Sequence, residues 1–300
     1  MIRILINGKN SQIGQSIKRI VDQNINAQSA GFDFIFVGRD ELDLCFEDSI
    51  NSYFDNNNFD IIVNCVAYNK VDEAEIEENQ SNLINHIAVS KIAEISKNKK
   101  IKLIHFSTDF VFDGSMNKTY QENDICNPIN EYGSSKLAGE QSVLSIMRFN
   151  AVIIRTSWLY SEYSNNFVDT IIKLIYDGND LNVVSDQFGS PTYSEDLGEV
   201  VLKIIKNNEF NSVDFFSDVF HYSNSGYCSR YDFAKEIAKY LSTSSNIIPI
   251  KTKDYPSLAK RPAQVIMNTN KITRKFELKI ELWEKSLEKC MNRITSAKLI

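Results

Sequence analysis

The chain has 300 residues, enough for one large α/β domain or for a domain with a smaller appendage. A hydrophobic fraction of 43% with 24% charged residues is ordinary for a globular protein, and a net charge of −6 argues against a general nucleic-acid or anionic-membrane surface. Five cysteines without Cys-x-x-Cys spacing and three histidines without ligand spacing point to reduced thiols, a cytoplasmic setting and no zinc site, and no apolar stretch approaches the roughly 20 residues of a membrane span.

Along the chain, short apolar runs alternate with helical patterns: strand 2–6, helix 13–23, strand 33–38, a short helix at 47–54, strand 60–66, helix 82–97, strand 101–106, helix 131–147 and strand 151–155. Nearly continuous apolar strands, such as the one within Asp60 to Ala67, are expected where helices cover both faces of a sheet. The pattern predicts an α/β fold, a doubly wound parallel sheet of the Rossmann type, with ligands at the carboxyl ends of the strands. Beyond residue 156 the alternation loosens into helical stretches at 166–176 and 194–206, a strand-like run at 218–222 and a helix at 230–241. The expected division is a cofactor-binding domain over 1–157, joined by some later elements returning to its sheet, and a smaller substrate-binding lobe over 158–300.

The first strand runs into Gly8-Lys-Asn-Ser-Gln-Ile-Gly14, a turn that opens a helix and so presents backbone N–H groups and the positive helix end to an anion. Gly8, Asn10, Ser11, Gln12, Ile13 and Gly14 form the expected dinucleotide cradle, although Ser11 stands where the usual fingerprint has a third glycine. The second strand ends at Val37-Gly-Arg-Asp40. Arg39 suits a ribose 2′-phosphate and favours NADPH, whereas Asp40 would bond a free 2′-hydroxyl and keeps NADH open. Asp43 and Leu44 are expected to border the adenine, and Cys65, Val66 and Ala67 at the end of the third strand to border the cofactor further along.

The fourth strand ends in Ser107-Thr-Asp109, and Tyr132 and Lys136 open the helix that follows. One helical turn separates the phenol from the ammonium. A Tyr near its ordinary pKa of about 10 is a poor acid or base at neutral pH, so the cation is expected to favour the phenolate. Thr108, or Ser107 beside it, would hold the carbonyl oxygen on which charge develops during hydride transfer. A second Tyr-x-x-x-Lys, Tyr231 to Lys235, lies in what reads as an ordinary amphipathic surface helix and has none of this context.

With Asn64 to Glu75, Ser107 to Gly114, Tyr132 to Glu140, Arg155 to Tyr160, Asp186 to Thr192 and Arg261-Pro262 in this order, the chain resembles the extended short-chain dehydrogenase/reductases. Within them it is similar to the reductases of nucleotide-linked 4-keto-6-deoxy sugars, nearly end to end. The resemblance implies NADPH-dependent reduction of the 4-keto group of dTDP-6-deoxy-L-lyxo-4-hexulose to dTDP-L-rhamnose, a precursor of cell-surface polysaccharide. It implies that Tyr132 donates the proton, Lys136 orients the nicotinamide ribose and Thr108 holds the keto oxygen. It also implies that Asn69, Val71, Asp109, Phe110 and Trp158 line the sugar pocket and that Arg261 meets the diphosphate. Phe110 stands where related dehydratases carry Glu, so the additional acid–base group that loss of water needs is missing. A 4-epimerase of a similar sugar stays open, as does a non-catalytic regulatory subunit of the methionine adenosyltransferase type. Asn69 and Phe110 depart from the group's pattern and leave the identity of the sugar open. Some members bind Mg2+ at a dimer interface through Glu side chains; the spacing here marks no such site, and magnesium and a homodimer both stay open.

Overall fold

The computed structural model describes residues 1–23, 31–116, 118–163, 166–178, 180–241 and 245–297. A six-stranded parallel sheet forms its centre. Strands β1 (Ile2–Asn7), β2 (Phe32–Val37), β3 (Ile61–Asn64), β4 (Lys102–Thr108) and β5 (Ala151–Thr156) lie in the order β5-β4-β3-β1-β2. Asp218–Tyr222 pairs with the outer edge of β5, so the sixth strand comes from the C-terminal half. The strand order reverses beside β1, and the crevice that such a reversal opens at the carboxyl ends is the expected ligand site.

Successive strand residues point to opposite faces, and here both faces are apolar. Ile4, Ile6, Ile61, Val63, Ile104, Phe106, Val152 and Ile154 pack in one core with helix α1 (Gln12–Gln23) and the helix Ser194–Lys206. Leu5, Ile62, Leu103 and Ile153 pack in another with the helices Glu47–Asn56, Ala88–Lys99 and Glu131–Ile146. That double burial is why the strands read as largely apolar runs without strict alternation. A third core, around Tyr160, Val168, Phe233 and Leu287, joins the helices Phe167–Tyr176, Arg230–Ala238 and Trp283–Ala297. Among the described residues no helix is long and apolar enough to cross a membrane.

Some elements differ from expectation. The helix expected over 82–97 is two pieces, Glu78–Asn82 and Ala88–Lys99, joined by one π turn, Leu83–Ile87. Its cause is Asn85, whose buried amide accepts from Tyr68 N at 2.9 Å and donates to Tyr68 O at 3.0 Å and to Ser135 Oγ at 3.0 Å. The helix expected to 241 ends at Ala238, and the helix Trp283–Ala297 lies where no element was anticipated.

The π turn brings the Asn85 carbonyl against Gly139 so closely that a Cβ there would fall 2.2 Å from the Asn85 oxygen. Neither backbone can yield cheaply. Gly139→Ala should therefore lower unfolding stability by about 1–3 kcal/mol in denaturant titrations; a wild-type transition would mean that the helix Glu131–Ile146 is not held at this distance.

Candidate active site

The carboxyl ends of the strands open into a cavity of about 940 Å³ that extends from the Gly8 turn to the C-terminal lobe. Gly8, Asn10, Ser11, Gln12, Ile13, Arg39, Asp43, Leu44, Cys65, Val66 and Ala67 line one end, and Asn69, Val71, Asp109, Phe110, Trp158 and Arg261 line the other, with Thr108, Tyr132 and Lys136 between. Gly14, expected in the cradle, does not line it. It is buried in α1, where a Cβ would fall 2.2 Å from the Gly8 carbonyl oxygen, so this glycine serves the close packing of helix on turn.

The turn itself needs glycine at position 8, where φ is +93°. Gly8 N and Lys9 N both donate to Val37 O at 2.9 Å, which holds the turn to the end of β2. Ser11, in the place of a third glycine, accepts from Gly14 N at 3.0 Å and caps α1. Gln12 accepts from Ser161 Oγ at 2.7 Å and so ties the turn to the C-terminal lobe. At the end of β2, Arg39 is exposed on the rim and donates to Asp43 at 3.0 Å, while Asp40 does not line the cavity.

At the centre, Asn130 caps the helix Glu131–Ile146 by accepting from Gly133 N at 2.8 Å. A Cβ at Gly133 would sit 2.2 Å from the Phe110 carbonyl oxygen, so the first turn lies flush on the segment after β4. Tyr132 meets the Phe110 ring edge-on at 5.7 Å. Lys136 is buried and donates to Phe106 O at 2.6 Å. Burial brings this ammonium down to about 8, against the pull of Glu140 in the other direction. Burial pushes the Tyr132 phenol up to about 12, opposed by a hydrogen bond with Thr108 and reinforced by the charge of Asp109. The Lys136 head is turned to the Phe106 carbonyl, and burial sets the direction of the Tyr132 shift. Beside them the Ser107 hydroxyl is buried without a hydrogen-bond partner.

Asp109 is buried, and burial raises its carboxyl to about 7 against the opposing charge of Arg230. Arg230 was not anticipated. Its guanidinium stacks on the Trp158 indole at 3.7 Å and lies 5.1 Å from the Phe167 ring centre, and it lines the cavity from the first residue of its helix. A cation at the positive end of a helix is electrostatically unfavourable, and that mismatch was the one signal in the sequence that could have marked it. Arg261 is held by Asp72 at 2.6 and 3.2 Å. Among the described residues no group of three His, Cys, Asp or Glu side chains could hold a metal ion.

Reduction of a carbonyl needs an acid that stays protonated until the oxygen becomes basic, and a phenol kept neutral by burial beside a hydroxyl donor meets that need. The parallel sheet, its glycine turn and this centre define an oxidoreductase of the short-chain dehydrogenase/reductase class. The family model described as the RmlD substrate binding domain matches residues 2–296, and the chain belongs to that family. It is 34% identical to a dTDP-4-dehydrorhamnose reductase from Aggregatibacter actinomycetemcomitans over 96% of this chain and 98% of that one. It is 32% identical to a dTDP-4-keto-6-deoxy-D-glucose reductase from Streptomyces niveus over 74% of each. A crystal structure of dTDP-4-dehydrorhamnose reductase from Bacillus anthracis in complex with NADP superposes with a TM-score of 0.88 at 34% identity, covering 98% of this chain and 100% of that one.

Trp158 adopts φ +45°, and its indole lies where a Cβ on Gly189 would fall 2.5 Å from Cε2. Gly189→Ala should displace the ring and alter the Trp158 contribution to intrinsic fluorescence. The change should vanish in a Trp158→Phe background; an unchanged spectrum would mean that the indole is not seated on Gly189.

Proposed function

We propose that the protein reduces the 4-keto group of a nucleotide-linked 6-deoxy sugar with NADPH, its substrate being dTDP-6-deoxy-L-lyxo-4-hexulose and its product dTDP-L-rhamnose. The observation that carries this reading is the continuity of one cavity from the Gly8 turn, past Thr108, Tyr132 and Lys136, to Trp158 and Arg230. A dinucleotide entering one end and a nucleotide sugar entering the other would meet at the phenol. The names of the relatives and the NADP in the Bacillus anthracis structure support the same reading.

The turn fits a dinucleotide. A side chain on Gly8 would come within 3.1 Å of the Cys65 backbone and Val66, so the bare backbone is what leaves room for a pyrophosphate, and the start of α1 adds N–H donors. When bound, NADPH supplies the hydride for the carbonyl carbon. Arg39 would meet the 2′-phosphate, Asp43 and Leu44 would border the adenine, and Lys136 would bond the nicotinamide ribose. Tyr132 gives its proton to the keto oxygen, and the Thr108 hydroxyl bonds the same oxygen as charge grows on it. Asp109, Phe110 and Trp158 enclose the hexose, with Asn69 and Val71 at the rim, and Arg261 reaches the diphosphate. In this reading residues 1–157, with the returning elements over 194–222, serve the cofactor, and the remainder serves the sugar nucleotide. The five free thiols suit a reducing, cytoplasmic setting.

The purified protein given NADPH and the keto sugar should consume both in step. Interconversion of sugar epimers without net oxidation of NADPH, or binding without turnover, would contradict the proposal. Tyr132→Phe should lower kcat by about 10²-fold or more, with the Kd for NADPH nearly unchanged, because only the transition state uses that proton. Arg39→Ala should weaken NADPH more than NADH, by about tenfold for a lost charge-assisted contact of about 1.5 kcal/mol. Equal losses would remove Arg39 from the 2′-phosphate.

A further inference from the structure

Arg230 has more hydrogen-bonding capacity than the fold uses. Its guanidinium lies 3.7 Å from the centre of the Trp158 ring, a distance at which the plate stacks on the ring face. The N–H donors of a guanidinium lie in its plane, so they run along the indole and not into it. Among the described residues none of these donors has a hydrogen-bond or ion-pair partner. Arg155, the buried arginine of β5, is the opposite case: it donates to Glu140, to the Glu122 carbonyl and to Cys126. Arg261 is likewise engaged, by Asp72 and by the Ala259 carbonyl. The stack on Trp158 accounts for the face of Arg230 and not for its edge, which borders the cavity.

The placement suits an anion. Arg230 opens the helix Arg230–Ala238, so a fixed cation stands at the positive end of a helix dipole. The charge of Asp109 opposes this accumulation, and that of Arg261, which lines the same cavity, adds to it. Position along the cavity selects the anion. On one side of Arg230 is Trp158, which the register of Thr108 with Thr156 sets beside the segment that follows Thr108. On the other is the Phe167 ring, 5.1 Å away. Beyond Phe167 the cavity runs between Thr170, Ile171 and Leu174 of its helix and the strand Leu181–Val184, a largely apolar slot suited to a flat base. A ligand with its hexose at Tyr132 and its base in that slot brings its phosphates to Arg230.

We infer, resting on the nucleotide-sugar substrate proposed above, that Arg230 binds the diphosphate of that substrate through its in-plane N–H groups, with Trp158 as the plate that aims it. Parallel N–H donors match the oxygens of a phosphoryl group. Arg230 is then the principal contact, and Arg261, whose donors are largely spent on Asp72 and Ala259, the lesser one.

Calorimetric titration of the whole chain with dTDP tests this. Arg230→Met keeps an apolar cover on the indole and removes the donors. Its Kd for dTDP should rise by about 10- to 100-fold, the loss expected for charge-assisted hydrogen bonds, while the Kd for NADPH stays nearly unchanged. Arg230→Lys keeps the charge without the planar fork and should fall between the two, and Arg261→Met should weaken dTDP less than Arg230→Met. An unchanged Kd for dTDP in Arg230→Met would overturn the inference; a raised KM for the keto sugar beside that unchanged Kd would place Arg230 on the hexose instead. Equal losses for dTDP and NADPH would reduce Arg230 to a support of the cavity wall and overturn it as well. A wild-type protein that binds dTDP through Arg230 but oxidises no NADPH with the keto sugar would refute the reduction and leave the diphosphate contact standing.

Discussion

The close seating of the helix Glu131–Ile146 on two backbone carbonyls governs the geometry of the site. Gly133 touches the Phe110 carbonyl and Gly139 the Asn85 carbonyl at distances that no Cβ could share. Tyr132, Lys136 and Glu140 follow one another on the same face of that helix, so the seating sets all three at once. The far end is fixed by Glu140, which accepts from Arg155 of β5 at 2.9, 3.1 and 2.7 Å in a buried pair. Removal of one partner from such a pair typically costs about 3–5 kcal/mol, because the other charge is left without compensation.

Burial then decides the charges. It holds Tyr132 as a phenol, brings Lys136 toward neutrality and keeps Asp109 near the point where it shares its proton with water. All three shifts favour uncharged forms, as expected in a cavity walled by Phe106, Phe110 and Trp158. A centre of this kind is prepared to give a proton away. That suits reduction of a carbonyl better than oxidation of an alcohol, which would need a base at rest.

Much of this architecture is legible in the chain. The strands could be located because both faces of the sheet are covered, which makes Ile4, Leu5 and Ile6, and likewise Ile61, Ile62 and Val63, continuous apolar stretches. The helix Trp283–Ala297 was equally readable, with Trp283, Leu287, Cys290 and Met291 buried at helical spacing, but its charged outer face masks the pattern. The π turn was not readable, since Asn85 differs from any other helix residue only through its bonds to Tyr68 and Ser135, which are set by the tertiary fold. The pairing of Leu181–Val184 with Ile247–Ile250 likewise has no local signal. At the site, Thr108, Tyr132 and Lys136 were marked by spacing and context, whereas the close packing of Gly14 on the Gly8 carbonyl has no signal in the spacing. Arg230 escaped because its helix was judged by Tyr231 and Lys235, and its role rests on a stack with Trp158 that only the fold creates.

The account stands on hydride delivery to the carbonyl carbon beside Tyr132. NADPH deuterated at the transferred position, incubated with the purified protein and dTDP-6-deoxy-L-lyxo-4-hexulose, tests it directly. The product should carry one deuterium, at C4 of the sugar, by mass spectrometry and NMR. Product without deuterium, or with deuterium at another carbon, would contradict the assignment of this cavity as a 4-keto-sugar reductase.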